Sequence, residues 1–154
     1  MKFTGDIAIG APREAVFAKM RDAKFFASCV EGVHDLVEID GDHYNAVLET
    51  KVAYLKFRFN VAVEVLRADP PSEIEARIEG TPSGIVGRLS ARSLTRLVEE
   101  NGGTRVSYEL DAALTGKLGS LGQPVLRAKA REMERQFAER IRTAFAAGTT
   151  ESAA

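Results

Sequence analysis

Hydrophobic and polar residues alternate along most of the chain, which is typical of strands that bury one face. The clearest case is residues 55–65, in which Phe57 and Phe59 alternate with charged or polar side chains. Turn signals, such as Asp-Gly-Asp at 40–42 and Asn-Gly-Gly at 101–103, separate neighbouring strands. The pattern predicts one early strand and six later, consecutive ones, at residues 1–10, 33–39, 44–52, 55–65, 73–79, 85–98 and 106–114.

Three segments show helical periodicity instead. Pro12 and the spacing of Val16 and Phe17 predict a short helix that ends near residue 20. Asp22 is a suitable N-cap for a second short helix that reaches residue 28. Residues 117–147 predict a long helix, because apolar side chains recur there every three or four residues. This stripe consists of Leu126, Ala130, Met133, Phe137, Ile141 and Ala144.

This order of elements predicts a single α+β domain over residues 1–147 and a flexible tail over residues 148–154. We expect a curved antiparallel seven-stranded sheet that wraps around the long C-terminal helix, with two short helices after the first strand. This architecture resembles the helix-grip fold of START-like and Bet v 1-like proteins. A curved sheet and a single helix leave space between them, so the pattern also predicts an apolar cavity.

The cavity wall should consist of inward-facing side chains of the sheet and the helix. Tyr108 would add a hydroxyl group that orients a ligand oxygen or bonds to the backbone. The predicted ligand-contacting set is Phe26, Leu48, Phe57, Phe59, Val61, Ile78, Leu89, Tyr108, Leu110, Leu114, Leu121, Val125 and Met133. On the alternative interpretation, the same side chains form an ordinary core. Gly116, Gly119 and Gly122 form either a gate to the cavity or a tight packing corner, and we favour the corner.

Composition and motifs narrow the classes of function. Lys plus Arg number 21 and Asp plus Glu number 22, so the net charge of −1 gives no general attraction to nucleic acid. The single cysteine, Cys29, excludes an intrachain disulfide and fits a reducing cytosol. His34 and His43 lack the spacing of a metal site. No nucleotide-binding, serine-nucleophile or export motif is present, so we expect a non-catalytic protein with no metal, cofactor or membrane span.

Four segments resemble the family of the carbon monoxide dehydrogenase G subunit. They are Cys-Val-Glu-Gly-Val at 29–33, Ile-Asp-Gly-Asp-His-Tyr at 39–44, Ala-Asp-Pro-Pro at 68–71 and Gly-Lys-Leu-Gly-Ser-Leu-Gly-Gln at 116–123. The last is the most distinctive, and the similarity extends from residue 1 to about residue 145. The resemblance implies an accessory protein of a molybdenum-dependent dehydrogenase that binds a lipophilic molecule such as a quinone. It also implies that the protein links this enzyme to the membrane, so we expect a cytoplasmic protein, with peripheral contact to the inner face of the cell membrane as a further option.

The leading hypothesis is therefore a non-catalytic carrier of a quinone or lipid that serves a molybdenum hydroxylase-type dehydrogenase. A second hypothesis is an enzyme of the cyclase or hydrolase type on the same fold, which would need an ionisable group such as His43 or Asp111 inside the cavity. A third is a docking factor without a ligand. Its surface would include Arg127, Arg131 and Arg135, which otherwise form a solvated helix face.

Overall fold

The computed structural model describes the backbone of residues 1–153 and the side chains of residues 1–146. The predicted tail at residues 148–154 lies outside the fully described residues and stays a prediction. The elements in chain order are β1 (Lys2–Ile9), α1 (Arg13–Arg21), α2 (Ala23–Ser28), β2 (Val33–Asp40), β3 (His43–Val52), β4 (Leu55–Asp69), β5 (Glu73–Pro82), β6 (Gly87–Glu100), β7 (Gly103–Thr115), α3 (Gly116–Gly119) and α4 (Gln123–Ala153).

The seven strands form one antiparallel sheet in the order β1-β7-β6-β5-β4-β3-β2. Strands β2 to β7 follow one another as hairpins, and β1 pairs with β7 in the register Ile7↔Val106. The two short helices follow β1, and Asp22 caps α2 by accepting a hydrogen bond of 3.2 Å from the Phe25 amide. The predicted fold class is confirmed.

Arginines of α4 protect the free edge of β1. Arg127 donates a hydrogen bond of 3.0 Å to the Lys2 carbonyl, and Arg142 donates one of 2.9 Å to the Ala8 carbonyl. Unpaired carbonyls on an edge strand otherwise invite pairing with other chains. Part of the arginine row therefore has a structural role, whereas Arg131 and Arg135 are exposed on the surface.

The C-terminal helical region differs from the prediction of one helix that begins at residue 117. The structure has a single turn, α3, and then a break before α4 begins at Gln123. Gly122 adopts a φ of 89° at the break, a conformation that residues other than glycine rarely adopt. Gly116 has a φ of 66°, and a Cβ atom there would collide with the Val86 carbonyl. Gly116 and Gly119 are therefore closely packed against backbone atoms of Val86 and Leu114, as a packing corner requires, whereas Gly122 is constrained by its φ angle alone.

Two clusters of buried side chains hold the helices on the sheet. One lies near the β6–β7 turn, where Ile141 of α4 packs with Val16, Leu97 and Val106. The other lies at the opposite end, near the β3–β4 turn, and contains Val52, Phe57, Phe59, Leu118 and Leu126. The stretch between these two clusters contains the candidate site.

Candidate functional site

A cavity of about 340 Å³ lies under the middle of the sheet. Ligand pockets commonly have volumes of ~300–1,000 Å³, so the space is large enough for a small molecule. Its wall comes from α1, α2, strands β2 to β6 and one side chain of α4. The apolar wall residues are Met20, Ala23, Phe26, Ala27, Val30, Val33, Leu36, Ala46, Leu48, Val61, Val63, Val65, Ile74, Ala76, Ile78 and Met133.

The sizes of the inward-facing side chains explain why this stretch is hollow. Val63 and Val65 of β4 lie opposite Ile78 and Ala76 of β5, so branched or very small side chains line the middle of the sheet. Ala46 of β3 adds another small side chain. Leucines and phenylalanines, in contrast, fill the end near the β3–β4 turn. The helices cannot approach the middle of the sheet more closely without disturbing both packed ends.

Phe26 marks the place where the cavity meets solvent. This side chain of α2 lines the cavity, yet 40% of its surface is exposed. Its ring centroid lies 5.1 Å from that of Phe137 on α4. The Phe26–Phe137 contact therefore joins α2 and α4 beside the cavity.

Polar side chains line the cavity in two places, with Ser93 and Thr95 on β6 and a second group around Arg21 and Tyr44. Arg21 of α1 donates a hydrogen bond of 3.3 Å to the Tyr44 hydroxyl and forms an ion pair of 3.2 Å with Asp42. The Tyr44 hydroxyl donates a hydrogen bond of 2.9 Å to the Gly41 carbonyl. Both Arg21 and Tyr44 also line the cavity. An apolar ligand with one polar group would match this arrangement.

The thirteen predicted contact residues fall into three groups. Five line the cavity: Phe26, Leu48, Val61, Ile78 and Met133. Phe57 and Phe59 belong to the packed cluster near the β3–β4 turn, and four more pack against it, namely Leu89, Leu114, Leu121 and Val125. Leu48 and Val61 of the first group also contact this cluster. Tyr108 and Leu110 of β7 belong to neither group. Alternation identifies the buried face of a strand, but it does not show which part of that face lies over the cavity. The predicted set therefore contains both cavity-wall residues and residues of the packed cluster.

Several wall residues were absent from the predicted set. Val63 and Val65 carry the same alternation signal as Val61 and could have been selected with it. Val30, in contrast, lies in the connection after α2, and Val33 is the first residue of β2, so alternation does not identify the face of either residue. Their position depends on how α2 is placed over the sheet.

Tyr108 faces α4 and bonds to Glu134, so its hydroxyl has a protein partner. Burial, followed in importance by the Glu134 charge, raises the pKa of Tyr108 to about 12. Because the folded state disfavours the phenolate, the free energy of unfolding should decrease as the pH rises from about 10 to about 12. Ultraviolet titration should show one tyrosine ionising well above pH 10. Glu134→Gln should lower that pKa, and an unchanged titration would contradict the assigned pair.

The candidate reactive groups lie outside the cavity. His43 Nδ1 lies 2.8 Å from Asp40 and its Nε2 lies 3.1 Å from Glu64, and these hydrogen bonds raise the pKa of His43. His34 lies between the carboxylates of Asp35 and Glu49. Burial raises the pKa of the Cys29 thiol, which opposes thiolate formation. Asp111 is exposed on β7.

The cavity wall lacks the side chains that most often act as general acids or bases. Among the described residues that form it, none is Asp, Glu, His or Cys. No group of three such residues in the described part of the chain is arranged to hold a metal ion. None of the helices, over the described residues, has both the length and the apolar character needed to cross a bilayer.

Comparisons with known proteins agree with the fold. Residues 5–146 match the family model of the carbon monoxide dehydrogenase G subunit (CoxG). The crystal structure of a conserved protein from Geobacillus kaustophilus is similar, with a TM-score of 0.87 at 24% identity over 95% of each chain. No protein of the curated set matches the sequence significantly.

More distant structures share the architecture. Protein Ms6760 from Mycobacterium smegmatis has a TM-score of 0.69 at 16% identity, over 96% of this chain and 92% of that chain. Ara h 8.0201 has a TM-score of 0.63 at 13% identity, over 93% of this chain and 95% of that chain. At these identities the likeness shows the fold alone.

Proposed function

This chain belongs to the CoxG family, named for the carbon monoxide dehydrogenase G subunit, and on that premise we propose that it is a ligand-binding accessory protein. It binds a hydrophobic small molecule in the cavity between α2, the sheet and α4. The observation that carries the proposal is the cavity itself, which is apolar along most of its wall and opens beside Phe26. Empty apolar space forfeits dispersion contacts that a ligand would restore.

The ligand class follows from the cavity and from the family. A quinone-like or lipid molecule combines an apolar body with a polar group, and the polar end at Arg21 and Tyr44 supplies partners for such a group. The family name supports an accessory role for a molybdenum-dependent enzyme of the carbon monoxide dehydrogenase type. In this role the protein acts in the cytoplasm, delivers its ligand and catalyses no covalent step.

Titration with candidate ligands tests this function. Menaquinone, ubiquinone and a fatty acid are each added to the protein, and binding is followed by native mass spectrometry and by thermal unfolding. A ligand held at 100 times its Kd should stabilise the native state by about 2.7 kcal/mol. If none of the three binds or raises the unfolding temperature, the proposal fails.

Tyr44→Phe tests the role of the polar end. We expect weaker binding of a ligand with a hydroxyl group, by roughly 2- to 12-fold, because the Tyr44 oxygen can still accept one hydrogen bond, worth about 0.5–1.5 kcal/mol, whereas its proton is already donated to the Gly41 carbonyl. Binding of a purely apolar probe should stay unchanged. Isothermal titration calorimetry measures both affinities, and Tyr54→Phe is the matched control because Tyr54 lies outside the wall. Equal losses for the two probes would show that Tyr44 acts on the fold and not on the ligand.

A further inference from the structure

Two hydroxyl groups on the inner face of β6 line the cavity without a partner in the protein. They belong to Ser93 and Thr95, and neither hydroxyl forms a hydrogen bond within the part of the chain that the structure describes. The other serine and threonine hydroxyls of β6 and β7 are all bonded, namely those of Ser90, Thr104, Ser107 and Thr115. The pair therefore differs from its neighbours in having hydrogen-bonding capacity to spare.

The wall beside this pair is apolar. In the sheet register, Ser93 lies opposite Ala76 of β5 and Thr95 lies opposite Ile74. An ordered water in a protein typically makes about three hydrogen bonds, which two hydroxyls on an apolar wall do not supply. A hydroxyl that leaves bulk water without gaining a partner costs stability. A polar group attached to an apolar ligand would satisfy the pair and fill the space beside it.

Nearby charges indicate which polar group fits. Tyr108 of β7 lies opposite Thr95 and bonds to Glu134 of α4. Arg21 is the only Lys or Arg among the described wall residues, and it lies on α1 in an ion pair with Asp42. A carboxylate at β6 would therefore lose its water near the negative Glu134 without gaining a cation. The pair fits an uncharged group, such as a carbonyl or a hydroxyl.

The pair is well separated from the other polar place in the wall. Tyr44 lies on β3, and strands β4 and β5 lie between β3 and β6. Neighbouring strands are about 4.8 Å apart, so three spacings separate the two places by roughly 14 Å along the sheet. A single polar group cannot bond at both places.

We propose that Ser93 and Thr95 form a second polar subsite of the cavity, which binds an uncharged carbonyl or hydroxyl group of the ligand. The group around Arg21 and Tyr44 fits one polar group, and the second subsite fits another. The ligand class is then an elongated molecule with an apolar middle and an uncharged polar group toward each place. This inference rests on the proposed function, because it names the kind of molecule that the same cavity takes.

Two ten-carbon alcohols test the second subsite. Decanol has one terminal hydroxyl and decanediol has one at each end, so only the diol can bond at both places. Wild-type protein should bind the diol roughly 2- to 12-fold more tightly, which is the effect of one additional hydrogen bond. In Ser93→Ala with Thr95→Val this preference should disappear. The dicarboxylate of the same length should bind more weakly than the diol. Isothermal titration calorimetry measures all of these affinities.

Thr81→Val with Ser83→Ala is the matched control, because it makes the same chemical changes at two exposed residues outside the wall. This control should keep the preference for the diol. Without ligand, the variant at Ser93 and Thr95 should unfold at a temperature no lower than the wild type, since its lost hydroxyls had no partner. A clearly lower unfolding temperature would assign the pair a structural role and overturn the proposal.

Three binding results would also overturn the second subsite while leaving the cavity function intact. They are equal wild-type affinities for the two alcohols, a diol preference that survives in the variant at Ser93 and Thr95, and tighter binding of the dicarboxylate. Binding of neither alcohol would overturn the subsite as well. Titration with menaquinone, ubiquinone and the fatty acid then shows whether the cavity function fails with it.

Discussion

Replacing Ala76 with phenylalanine is expected to lower the affinity for hydrophobic ligands by at least about 100-fold, equivalent to about 2.7 kcal/mol. Ala76 lies on the inner face of β5 between Val65 and Ser93, and all three residues line the cavity. A phenyl ring at this position would occupy the space that the ligand needs. The fold should remain stable, because the ring enters a void and does not displace packed side chains. Calorimetry and thermal unfolding measure the two effects separately.

Ala62→Phe is the matched control. Ala62 lies on β4 next to the wall residues Val61 and Val63, but its side chain is exposed on the outer face of the sheet. The same chemical change there should leave ligand affinity unaltered. If Ala76→Phe binds ligand as the wild type does, the ligand occupies another site. If Ala76→Phe unfolds the protein, the space under β5 is already filled.

Truncation of two side chains on one face of α4 should give unequal losses of stability. Ile141 is completely buried in the cluster near the β6–β7 turn, so Ile141→Ala should cost about 2–5 kcal/mol. Met133 lines the cavity and belongs to neither of the two packed clusters. We therefore expect Met133→Ala to cost less than about 2 kcal/mol.

Denaturant unfolding measures both variants under identical conditions. Helix propensity contributes little to the difference, because ordinary residues span only about 0.7 kcal/mol on this scale. Equal losses would mean that α4 is packed as tightly at its middle as at Ile141. That result would contradict a hollow beneath Met133.

The sequence was sufficient for the order and faces of the elements. The alternation in residues 55–65 predicted which face of β4 is buried, and Asp22 predicted where α2 begins. The position of the cavity along the strands, in contrast, could not be predicted from the sequence. Phe57 and Val63 share a strand and a face, yet one belongs to a packed cluster and the other lines the cavity. That difference depends on strand register and on where α2 and α4 cross the sheet.

The arginines of α4 show a second limit of sequence reasoning. Their spacing indicated a charged helix face, but it contained no information about the strand beside that face. Arg127 and Arg142 have a structural role only because β1, the first strand of the chain, lies at the sheet edge next to α4. Contacts between residues more than 100 positions apart are not encoded in local periodicity.

The most direct test of the central claim is the electron density of crystals grown from protein purified without detergent and then soaked with menaquinone. We predict continuous density between Phe26, Val63 and Met133, with its polar group toward Tyr44, and we predict that the density is lost in Ala76→Phe. Side chains that fill this space in the wild type, with no density for a bound molecule, would contradict the account.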